Sequence, residues 1–145
     1  MIAEYHFYHG AALSTLVSRN EFTGLSRITD LGPAYAINNT VGLYVKHATK
    51  PRSPWQFTFA PDHQTEMRRL FDRFGNRTFV ALVCGHQGVC LLSYGEYAGV
   101  IDEDFQNQRA LTVRRPSGGG FRVSGTAGTM RRVVPLGRYP EGLFE

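Results

Sequence analysis

The sequence predicts an α+β fold: a single domain with a mixed β-sheet, flanking helices and a C-terminal β-meander. Three observations lead there. The chain has 145 residues, a length that suits one domain. Its composition is 42% hydrophobic, 12% aromatic and 19% charged, which is globular and excludes general disorder. Along the chain the apolar period switches between helical and strand spacing, in the order α-β-β-β-α-β-β-α before the meander.

Residues 10–18 read as the first helix, because Ala12, Leu13, Leu16 and Val17 share a face. Asp30, Gly32 and Pro33 mark a loop. Residues 34–37 form a short strand, and Asn38-Asn39-Thr40 turns the chain, since Asn tolerates positive φ. Residues 42–48 form the second strand, with Leu43 and Val45 opposing Tyr44 and Lys46. Trp55, Phe57 and Phe59 face one side of a third strand. Pro61 suits the first position of a helix. In that helix Met67, Leu70, Phe71 and Phe74 repeat at helical spacing, and Gly75-Asn76 ends it.

Residues 78–84 are apolar without alternation, as in a central strand covered on both faces. Gly85-His86-Gln87-Gly88 turns into a strand over 89–92. Ser93 and Glu96 form a capping box for a helix over 94–101. Strands over 109–115, 120–124 and 130–134, separated by glycine-rich turns, complete a meander. The tail from Pro135 reads as irregular, with Tyr139, Leu143 and Phe144 available to dock it.

The net charge is +4, and 14 of the 16 basic residues are Arg. Seven of them lie between Phe105 and Pro140, a stretch without one acid. Such asymmetry suits an anionic partner. No apolar run approaches the ~18 residues of a membrane span. The N-terminus lacks the basic-then-apolar pattern of a secretory signal. Cys84 and Cys90 therefore read as reduced, buried thiols in a cytosolic protein.

Two basic clusters stand out. Lys46, Lys50, Arg52 and Trp55 combine cations, a proline-stiffened loop and the sole tryptophan, which suits a phosphate backbone with a stacked base. On the meander, alternation puts Arg114 and Arg122 on an exposed face, joined by Arg131. The blander readings are a core tryptophan with a solvated loop, and charges that protect sheet edges. The five histidines show no metal-binding spacing, so no metal is expected. Gly118-Gly119-Gly120 lacks the Lys-Ser/Thr of a P-loop, and no cofactor is expected. Cys84 and Cys90 flank a turn containing His86, but core cysteines explain them better than a nucleophile does.

Three resemblances follow from these residues. The run GLYVKHATKPRSPWQFTF, with VALVCGHQGVCLLSY downstream, resembles a family of small uncharacterised bacterial proteins. That likeness covers about residues 35–125 and implies a folding unit without a stated function. The order of elements over residues 10–84 is similar to the restriction-endonuclease-like fold. There Lys46 would match the catalytic lysine, but no Asp or Glu lies between Asp30 and Asp62, and Asn38, Asn39, Tyr44 and Gln56 stand where acids are wanted. The resemblance then implies a binding-only or degenerate derivative, or one recruiting Asp30 or Glu21. Tyr8-His9-Gly10 with Gly42-Leu43-Tyr44 resembles the ADP-ribosyltransferase pattern, which implies NAD contacts from His9 and Tyr44 and a glutamate such as Glu96 or Glu103.

The leading expectation is a small basic nucleic-acid-associated protein, linked to mobile elements or defence. The alternatives are the transferase, or a homodimeric interaction module built on Trp55 and the meander.

Overall fold

The computed structural model describes residues 1–145 as an α+β domain of two sheets and four α-helices. The first sheet runs β1 (Leu25–Arg27), β2 (Ala34–Ile37), β3 (Val41–Ala48), β5 (Thr78–Cys84), β6 (Gly88–Ser93) in spatial order. β3 and β5 are parallel and the other pairs antiparallel. The second sheet orders β4 (Trp55–Phe59), β7 (Arg109–Arg114), β8 (Arg122–Gly125) and β9 (Gly128–Thr129), all antiparallel.

Strand alternation sorts the first sheet's side chains into two cores. Val41, Leu43, Val45, Ala81, Val83 and Leu91 face α1 (Glu4–Val17) and the tail, where they meet Ala12, Leu16, Tyr139 and Leu143. Tyr44, Val80, Leu82 and Leu92 face the other way, toward α2 (Pro61–Phe74), α3 (Tyr94–Ile101) and the inner face of the second sheet. That inner face is Trp55, Phe57, Phe59, Leu111, Val113 and Val123, all buried. Gln64 fastens α2 to the loop before β7. Its amide donates to the carbonyls of Phe59 and Asn107 and accepts from the amides of Asp104 and Phe105.

α2, the buried central β5 and the α3 capping box lie where periodicity and caps put them. Ser93 N–H donates to Glu96 Oε1 at 2.9 Å, and Glu96 N–H donates to Ser93 Oγ at 3.2 Å.

Elsewhere the structure corrects the sequence reading. The first helix starts at Glu4, and its buried stripe is His9, Ala12 and Leu16; Val17 is 66% exposed. β1 is a three-residue exposed edge strand too short to show a period. β4 leaves the first sheet and joins the meander, because its all-aromatic face needs the apolar faces of β7 and β8. The expected strand over 130–134 is absent apart from one Phe121–Val134 bridge, and the two-residue β9 lies before it. The tail is not wholly irregular: α4 (Arg138–Glu141) docks it, with Tyr139 Oη donating to Ala12 O at 2.6 Å. Cys84 pairs with Gly88 and Cys90 with Leu82, so the two free thiols are offset by two residues along the hairpin. Burial pushes the Cys84 thiol up to about 12, which disqualifies it as a nucleophile at neutral pH. No helix is long and apolar enough to cross a membrane.

Candidate functional site

β3 is eight residues long, but its hairpin partner β2 is only four. Their register ends at Ala34–Tyr44, after which β3 continues to Ala48 with a partner strand only on the β5 side. The uncovered flank becomes a cleft of about 420 Å³. Its walls are His9 of α1, the Gly32-Pro33 turn, and Asp62, His63 and Glu66 from the first turns of α2; β3 contributes Tyr44, Lys46 and His47.

Alternation directs Tyr44 and Lys46 toward α2. Tyr44 Oη donates to Glu66 Oε1 at 2.6 Å. Burial, reinforced by that hydrogen bond, raises the phenol well above its usual value, so the tyrosine stays protonated and the proton is shared toward a carboxylate. Lys46 Nζ donates to the Thr58 carbonyl, lies 3.2 Å from His63 Nδ1 and stands 4.6 Å from the Phe59 ring centroid. Burial lowers its pKa to about 8 against the opposing pull of Asp62 and Glu66. His63 Nδ1 also accepts from Ala60 N–H at 3.2 Å, which assigns the ring proton to Nε2.

Gly32 shapes the opposite wall. Its φ is +61°, and a Cβ there would lie 2.9 Å from both Glu66 carboxylate oxygens. Glycine answers both demands. On α1, His9 Nδ1 is 3.0 Å from Tyr35 Oη. Burial, then the neighbouring His47 and His6, lowers His9 to about 4, so its ring is neutral at pH 7. His47 stacks on Tyr8 at 4.7 Å.

The sequence-derived candidates separate into two groups. Lys46 lies in the cleft. Lys50 and Arg52 lie on the exposed loop between β3 and β4, at the far end of β4 from Lys46. That loop is tied to the start of the β7–β8 connection: Ser53 Oγ donates to Arg115 O at 3.4 Å, and Arg115 donates to Gln87 Oε1 at 2.8 Å. Arg114 and Arg122 are direct cross-strand partners on the solvent face of the second sheet. Arg131 is exposed just beyond the short edge strand β9.

Trp55 is corrected outright. It is 1% exposed, edge-on to Phe121, and its indole N–H donates to Lys50 O at 2.8 Å. A ring so covered can neither stack on a base nor line a dimer interface. It holds the basic loop from beneath.

The acids are corrected as well. Asn38 ties down residues 21–24 through its amide, and Gln56 lies on the exposed face of the second sheet. Asp30 pairs with Arg69 at 2.8 Å and Glu21 with Arg19 at 3.5 Å, both outside the cleft. Glu96 caps α3 and binds Arg138 at 2.8 Å, and Glu103 accepts from Tyr94 and Tyr97. His9 and Tyr44 do share the cleft, but neither Glu96 nor Glu103 joins them. The carboxylates beside Lys46 come instead from α2. Their signal was present: His63 and Glu66 continue the Met67-Leu70 stripe toward the helix N-terminus, so they had to face inward.

Comparison with family models, curated proteins and solved structures gives no match. The chemistry of the site rests on its own residues.

Proposed function

We propose that this protein is a nucleic-acid-associated domain that grips the phosphate backbone with the basic end of its second sheet. The observation that carries the reading is a convergence. The loop holding Lys50 and Arg52 and the hairpin holding Arg114, Arg115 and Arg122 are separate in sequence but tied together through Ser53, Gln87 and Arg115. Guanidinium groups bind phosphate oxygens bidentately, and a flat strand pair presents two of them side by side.

A cytosolic setting with both thiols reduced goes with this reading.

The test is fluorescence anisotropy of labelled single- and double-stranded RNA and DNA at ~50 and ~200 mM salt. Six or more phosphate contacts make affinity fall roughly a thousandfold over that interval. The pair Arg114→Ala with Arg122→Ala should weaken binding and reduce the slope of log K against log salt by about 2. An unchanged slope refutes the surface.

A further inference from the structure

We propose that the cleft beside Lys46 is a metal-independent ribonuclease site, cutting RNA by internal transesterification with Glu66 as base and Lys46 as acid. The proposal deepens the nucleic-acid reading above and rests on it for delivery of the strand. It stands on the uncommitted valences of the cleft. Glu66 spends Oε1 on Tyr44, which leaves Oε2 able to take a proton. Lys46 donates one N–H to Thr58 O and can only share the His63 Nδ1 lone pair with Ala60 N–H, which leaves at least one N–H for an incoming phosphate. Gly32 packs against that carboxylate, and any side chain there would cover both of its oxygens.

This donor set suits RNA rather than DNA. DNA hydrolysis needs an activated water, for which metal sites are the usual device. No three of the His, Cys, Asp and Glu side chains are grouped to hold a metal ion, and the cation the cleft supplies is an ammonium. RNA brings its own nucleophile in the 2′-hydroxyl.

Glu66 Oε2 takes the 2′-hydroxyl proton as the 2′-oxygen bonds to phosphorus. The bond from phosphorus to the 5′-oxygen breaks, and Lys46 protonates that departing oxygen. The products are a 2′,3′-cyclic phosphate and a 5′-hydroxyl. The carboxylic acid and neutral amine left behind return to their starting forms by proton exchange with water. A lysine poised at about 8 is charged at neutral pH yet readily gives up its proton.

A neighbouring groove shares His9, Gly32 and Pro33 with the cleft and adds Arg27, Tyr5 and Tyr35. It offers a guanidinium and two aromatic rings to the adjoining nucleotide.

The experiment incubates the full chain, in EDTA, with end-labelled single-stranded RNA, the same sequence as DNA, and 2′-O-methyl RNA. The expected result is RNA cut to fragments ending in cyclic phosphate, with the other two intact. Glu66→Gln and Lys46→Met, shown folded by circular dichroism, should each lose about a hundredfold or more in rate at saturating RNA, beyond any loss of affinity. Lys46→Arg, which keeps the charge but is a far weaker acid, decides the point if Lys46→Met does not fold. Undiminished cleavage by folded variants, or a requirement for Mg²⁺, overturns the proposal. RNA bound but uncut refutes the ribonuclease site and leaves the basic surface standing. RNA neither bound nor cut refutes both.

Discussion

Replacing Trp55 distinguishes a core pillar from a base-stacking platform. The indole is 1% exposed, packs edge-on against Phe121 and donates to Lys50 O. Burying a tryptophan removes ~150–250 Å² from water, which at ~25 cal/mol per Å² is roughly 4–6 kcal/mol. Truncation of large aromatics to alanine costs about 3–5 kcal/mol, in agreement. Against a total stability of ~5–15 kcal/mol, Trp55→Ala should be severe. Trp55→Phe is the sharper probe. It loses half the ring and leaves the Lys50 carbonyl without its donor, together about 2 kcal/mol. For a chain of this size that lowers Tm by roughly 6 °C. The assay is a circular dichroism melt, paired with RNA anisotropy well below the transition. The expected outcome is a lowered Tm with affinity reduced less than about threefold, through the loosened Lys50 loop. An unchanged Tm with affinity reduced tenfold would refute the reasoning and restore Trp55 to the binding surface.

Other consequences are open to similar tests. A methyl group at Gly42 would sit 2.5 Å from Phe74 and 3.0 Å from Leu70, so Gly42→Ala should destabilise by about 1–3 kcal/mol in urea titrations; a neutral result means α2 shifts freely on the sheet. His9 has a folded pKa of about 4, below its unfolded value of 6.5. Between those values the unfolded chain binds the extra proton, so stability is full above pH 6.5 and falls as pH drops toward 4. His9→Gln should flatten that part of the pH–stability profile, and an unaltered profile would show that His9 is not the group responsible.

Much of the fold was legible because it is local. Met67, Leu70 and Phe74 announce α2, the unbroken apolar run announces β5, and Ser93 with Glu96 announces α3. What was not legible depends on partners. Trp55, Phe57 and Phe59 declare a strand with one apolar face, but nothing local says whether that face meets a helix or a second sheet. Arg114 and Arg122 were readable as outward-facing from alternation alone. The cleft was half readable: Lys46 and Tyr44 share a strand face at a spacing of two. Glu66 lies 20 residues further on, and only the crossover of α2 brings it back. The acid that accepts from Tyr44 therefore comes from a helix and not from the strands.

The overhang of β3 beyond β2 also governs how the cleft is lost. Lys46 sits opposite Leu82 in the middle of the parallel β3–β5 ladder, not on a terminus or a surface loop. Pulling it away breaks the longest strand pairing in the molecule. Partial opening events concentrate where few apolar groups are buried, such as the exposed strand β1 or the 116–120 turn. The amide hydrogens of the β3–β5 ladder around Lys46 should therefore be among the slowest in the chain to exchange, and those of the exposed 116–120 turn among the fastest. Lys46 is thus held by the most extensive pairing in the fold, whereas the turn beside Arg115 hangs from a few hydrogen bonds.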